Sequence, residues 1–114
     1  MFARIVEAIP KPDMLEKREE VLRVLKEEVL PLLKKQHGFL ELLPFTPENK
    51  NEQFITVTLW AERKDAERFD LVAFAKLQEI MKPYLTAPMA VKYYTVETSI
   101  CKHFEKAMTV ALLN

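Results

Sequence analysis

The side chains in this sequence best placed to do chemistry are Arg4, Asp70 and Trp60, with Phe54, Thr56, Thr58 and Tyr93 as companions. Arg4 lies within an apolar run, Phe2 to Ala8. There it can bind an anionic or phenolate ligand; the competing reading is an ion pair at a sheet edge with Glu41 or Glu7, and strand register decides between them. Asp70 sits in the largely apolar stretch from Phe69 to Ala75. Desolvated, it is a candidate general base; otherwise it caps a break in a helix, a place Asp favours because its side chain bonds the backbone. Trp60, the only tryptophan, can stack a planar substrate or pack a subunit seam. Thr56 and Thr58 read as pocket hydroxyls or as ordinary β-branched strand formers. Tyr93 and Tyr94 fall on opposite faces of a strand, so one phenol points toward a cavity or a seam.

Other chemistries are poorly served. His37 suits the negative end of a helix dipole. Cys101 and His103 form a Cys-x-His pair, but two ligands do not make a zinc site, so no metal is assigned. With one serine, Ser99, no Ser-His-Asp set is credible, and the glutamates from Glu16 to Glu28 form a solvated helix face. A single glycine, Gly38, excludes a Rossmann fingerprint, a P-loop and a nucleophile elbow.

At 114 residues the chain reads as one domain, 1–114. Lys plus Arg total 17 and Asp plus Glu total 17, so there is no basic surplus for nucleic acid or an anionic membrane. The lone Cys101 allows no intrachain disulfide and fits a reducing, cytoplasmic setting. No signal peptide and no apolar run of spanning length is read.

The elements that must carry these residues follow from periodicity. Phe2 to Ala8 reads as a strand stopped by Pro10 and Pro12. Asp13 and Glu16 have capping-box spacing for a helix whose apolar stripe runs through Val21, Leu25, Val29 and Leu33. Pro31 falls inside it and predicts a kink or break between Glu27 and Pro31; the helix ends before Gly38. Phe39 to Phe45 and Phe54 to Trp60 read as strands, Asp65 as the cap of a second helical region with a break at Asp70 and Leu71, and Met89 to Val96 as a last strand. The order is βαββαβ, an α+β, ferredoxin-like arrangement with an antiparallel sheet covered by helices on one face. With Ile55, Val57 and Leu59 turned to the helices, Phe54 and Trp60 lie on the uncovered face. That patch is too apolar to stand alone and calls for a homodimer, with a cavity where the two sheets fail to fill the space. The core spans 1–97; the tail, 98–114, carries Ile100, Phe104, Met108 and Val110 and is expected on the partner subunit.

The element order, the segment from Val29-Leu30-Pro31 through His37-Gly38-Phe39, and Thr58-Leu59-Trp60 leading into Ala66-Glu67-Arg68-Phe69 resemble the antibiotic biosynthesis monooxygenase domain, a branch of the dimeric α/β barrel superfamily. The resemblance runs from about Phe2 to Val96. It implies a homodimer whose cavity takes a small apolar or aromatic ligand, and a monooxygenase that uses no cofactor because a phenolic substrate supplies the electrons. Asp70 and Trp60 would be the catalytic residues; Arg4, Phe54, Thr56, Thr58 and Tyr93 would bind ligand. The rival reading is a non-catalytic ligand-binding or structural module of the same fold. The resemblance does not extend to haem degradation. Haem-degrading relatives place an iron-ligating His ten residues after the strand-three Trp, where this chain has Asp70, and an Asn on strand one, where it has none.

Overall fold

The computed structural model describes residues 1–13, 17–49 and 52–97. The tail assigned to a partner subunit, with Cys101 and His103, lies outside the described residues, as does Glu16 of the expected capping box. Four strands, β1 (Phe2–Ala8), β2 (Phe39–Phe45), β3 (Phe54–Trp60) and β4 (Ala90–Thr95), form one sheet in the order β2-β3-β1-β4. Every pairing is antiparallel. This is the expected α+β, ferredoxin-like arrangement, with β1 and β3 at its centre. No helix of the described residues is long and apolar enough to cross a membrane.

The register reverses the expected faces. Phe2 pairs with Trp60, Arg4 with Thr58, Val6 with Thr56 and Ala8 with Phe54. These residues pack toward the helices: Phe2 and Trp60 are buried in one cluster with Val21, Val24, Leu33, Phe69 and Leu77, and Phe54 packs against it. The uncovered face instead carries Ala3 and Leu59, with Leu40, Leu43, Val57 and Val96 packed against them. Both faces of β3 are apolar, so alternation fixes which residues travel together but not which set meets the helices. The bulky indole and phenyl rings fill the deep space under the helices. The aliphatic residues tile the flatter side.

The first helical region is α1 (Arg18–Val24), a π-helical turn (Leu25–Val29) and α2 (Leu30–Lys34). The disruption expected near Pro31 therefore takes the form of a widened turn rather than a break. A proline ring at this position presses on the carbonyl four residues back, here Glu27, and a π turn relieves that clash while the axis continues. Lys17 occupies the N-cap of α1 without a side-chain cap bond, and Asp13 forms an ion pair with Lys17 at 3.2 Å instead of capping.

The second helical region also differs in its punctuation. Glu62, not Asp65, is the N-cap of α3 (Arg63–Val72), and Asp65 at the third helical position completes a reciprocal capping box. Asp70 and Leu71 lie within α3; the interruption falls at Ala73, before α4 (Phe74–Met81). In an unbroken helix Phe69 and Phe74 would diverge by about 140°. The interruption at Ala73 turns both rings toward Arg4. Gly38 has φ +80°, and a Cβ there would overlap the Asp65 carboxylate, so a glycine is required where α2 hands over to β2.

Candidate functional site

The site begins with a charge in the wrong place. Strand alternation puts Arg4 on the helix-covered side of β1, between Phe2 and Val6, and its side chain is only 1% exposed. A buried guanidinium needs a counter-charge. Asp70 supplies it from α3: Arg4 Nε donates to Asp70 Oδ1 at 2.8 Å, and Nη2 lies 2.7 Å from the same oxygen but without hydrogen-bond alignment. Both nitrogens crowd one carboxylate oxygen. Arg4 Nη2 and Asp70 Oδ2 are therefore buried without a hydrogen-bond partner among the described residues. The guanidinium carbon sits 5.0 Å from the ring centre of Phe69 and 4.5 Å from that of Phe74, within the range where an aromatic face attracts a cation. Burial draws the guanidinium below its ordinary pKa, and the hydrogen bond and charge of Asp70 oppose that.

Arg4 also forms part of the wall of a cavity of about 60 Å³ between the sheet and the helices. Val21, Leu25, Val29 and Leu33 line it from the first helical region, Leu77 and Met81 from α4, Leu42 and Pro44 from β2, and Phe54, Thr56 and Thr58 from β3. Exposed Arg18 stands at its rim, and Leu85 and Met89 close another side. Among the described residues that line it, none is a carboxylate, a histidine or a tyrosine. The chamber is thus a greasy pocket with one buried cation and three threonines, Thr46, Thr56 and Thr58. It lies within a single chain, under the helices, and not where two sheets would meet, because the large aromatics expected on the open face turned inward.

The residues singled out in sequence divide into three groups. Arg4, Phe54, Thr56 and Thr58 share the cavity wall. Asp70 stands behind that wall, engaged by Arg4; neither Glu41 nor Glu7 is the partner of this arginine, and Glu7 pairs with Lys92 at 2.9 Å. Trp60 and Tyr93 are not part of the lining. Trp60 is fully buried against Phe39 and Phe69, with ring centres 5.7 and 5.4 Å away, and its Nε1 donates to Thr58 Oγ1 at 2.9 Å. Thr58 Oγ1 in turn donates to the Arg4 carbonyl at 3.4 Å. This chain ties the indole to the backbone that carries the buried cation. Tyr93 stacks on Phe2 at 5.7 Å on the β4 edge and is 39% exposed.

Sequence reasoning missed Phe74, whose ring covers the guanidinium, and the lining residues Arg18 and Leu85. No periodic signal marks Phe74, because its orientation depends on the interruption at Ala73. The ion pair gives a direct expectation. Asp70→Ala strands a buried cation and should lower unfolding stability by about 3–5 kcal/mol, whereas the double substitution Arg4→Met/Asp70→Leu should recover most of the loss. Urea unfolding of both variants checks this; equal stability of Asp70→Ala and the unaltered protein would contradict it.

No protein-family model and no curated protein matches this sequence. Solved structures do. A monooxygenase from the gene ActVA-Orf6 of Streptomyces coelicolor, solved with the ligand nanaomycin D, superposes with a TM-score of 0.69 at 16% identity, covering 87% of this chain and 89% of that one. SnoaB, a cofactor-independent oxygenase from Streptomyces nogalater, gives 0.56 at 14% identity, with 87% and 93% covered. A third structure, of an antibiotic biosynthesis monooxygenase, gives 0.60 at 17% identity, with 86% and 100% covered. Identities this low speak to architecture and not to chemistry. The TM-scores and the coverage of both chains agree in saying that this chain has the fold of the antibiotic biosynthesis monooxygenases.

Proposed function

We propose that the protein is a small cofactor-independent monooxygenase of the antibiotic biosynthesis type, acting on a small aromatic or phenolic compound held between sheet and helices. The observation that carries this reading is an apolar cavity with one buried cation, Arg4, in its wall. A substrate that ionises to a phenolate or stabilised carbanion can reduce oxygen itself. A CH2 carbon of the substrate loses one proton and bonds one oxygen atom, the hydroperoxide so formed loses its remaining C–H hydrogen with the outer oxygen as water, and a carbonyl remains; the substrate gives all four electrons that reduce O2, two ending in the carbonyl oxygen and two in water. The chain's contribution is to exclude bulk water, hold the ring and stabilise the anion. Arg4 is the group suited to that last task. Asp70, engaged by Arg4, is a positioning residue and not a free base, so the substrate must be acidic enough to enter the chamber as its anion, its proton left in bulk solvent before binding.

Incubation of one- to three-ring activated phenols under ¹⁸O₂ tests the reading. The expected product carries one labelled oxygen, forms only aerobically, and forms at least about a hundredfold more slowly with Arg4→Gln. Equal turnover with and without oxygen, or none with any of these phenols, would favour the rival reading of a ligand-binding module.

The uncovered sheet face supports pairing of two copies. Leu43, Val57 and Leu59 cluster there, with Ile55 and Tyr94 37% and 52% exposed beside them. Two such faces packed about a two-fold axis would bury both patches. The single Cys101 keeps the assignment to a reducing cytoplasm. Sedimentation velocity should find a dimer at micromolar concentration and a monomer for Val57→Lys; a monomeric unaltered protein would rule the pairing out.

A further inference from the structure

We propose that the cavity selects a small organic monoanion, a one-ring carboxylate or phenolate, and that Asp70 is an internal counter-anion with which this ligand competes for Arg4. The inference rests on the reading of the cavity as a ligand site and deepens it.

Three observations converge. Arg4 is 99% shielded, lines the cavity, and its Nη2 has no aligned acceptor among the described residues. Asp70 engages the guanidinium through a single oxygen, and among the described residues Oδ2 has no hydrogen-bond partner. A fully satisfied pair would use both oxygens against two nitrogens; here the pairing is incomplete on both sides. The third observation is size. At about 30 Å³ for each water, 60 Å³ is room for about two waters, which leaves no space for fused rings and limits a guest to a single ring. Phe69 and Phe74 cover the guanidinium and restrict its swing, so an incoming acceptor meets a donor already held in place. Among the described residues, the rest of the wall is apolar apart from three threonines, Thr46, Thr56 and Thr58, and the exposed Arg18 at the rim, so Arg4 is the one buried charge a ligand meets.

Competition sets the sign of the expected effects. Benzoate, benzamide and benzamidinium have nearly the same shape and differ in charge. By calorimetric titration of the intact protein, benzoate should bind about ten- to a hundredfold tighter than benzamide, and benzamidinium should not bind. Removing the counter-charge with Asp70→Asn should make benzoate bind tighter still and raise its stabilising effect on thermal unfolding. A residue with a purely structural role would weaken binding on substitution. Arg4→Gln should erase the preference for benzoate over benzamide. Equal binding of benzoate and benzamide, absence of benzoate binding, or weaker benzoate binding to Asp70→Asn would each overturn the proposal. None of these measurements involves oxygen, so a protein that binds benzoate as described but oxidises no phenol would overturn the oxygenase reading alone.

Discussion

A guanidinium buried in the middle of a central strand is the constraint around which this structure is arranged. Arg4 cannot leave β1, and the register that pairs it with Thr58 sends it under the helices. Once there it requires an anion and a surface that tolerates charge. Asp70 on α3 provides the first, and the rings of Phe69 and Phe74 provide the second. The helical interruption at Ala73 follows from the same requirement, since it lets two rings five residues apart face one cation. An ion pair of this kind adds little net stability when compared with well-packed apolar residues. Its presence beside a cavity is therefore better explained by what it can hold than by what it contributes to folding.

The same strands divide the labour between the two faces of the sheet. The helix-covered side joins the aromatic core, Trp60 with Phe39 and Phe69, to the chamber lined by Val21, Leu25 and Phe54. The hydrogen-bond chain from Trp60 through Thr58 to the Arg4 carbonyl links core and chamber. The uncovered side is aliphatic and shallow. Core, chamber and uncovered face are thus separated, and a guest in the chamber would be enclosed by one chain.

Much of the architecture was legible in the sequence, because strand and helix periodicities are local. All four strands and the order βαββαβ emerged from alternation, from the stripe Val21, Leu25, Val29 and Leu33, and from punctuation by Pro and Gly38. Pro31 announced a disturbance, though only the three-dimensional structure shows that a π turn absorbs it. What could not be read were the relations between distant elements. Which face of β3 meets the helices depends on packing volume, since both faces are apolar. The partnership of Arg4 and Asp70, 66 residues apart, was invisible, although each was singled out by the same anomaly, a charge within an apolar run. Trp60 drew attention as a rare aromatic, and the structure makes it a core residue two positions from the chamber wall.

Any ligand role for this chamber requires Arg4 to be a buried, ordered cation in its wall. The Nε–H resonances of the arginine side chains report this directly. Of the five arginines, Arg18, Arg23, Arg63 and Arg68 are exposed and should exchange their Nε protons with water too fast to observe at mildly alkaline pH. The Arg4 Nε–H should persist there, protected by burial and by its bond to Asp70, and should move on saturation with benzoate. An Arg4 resonance that exchanges as fast as the other four, or that ignores the ligand, would contradict the account.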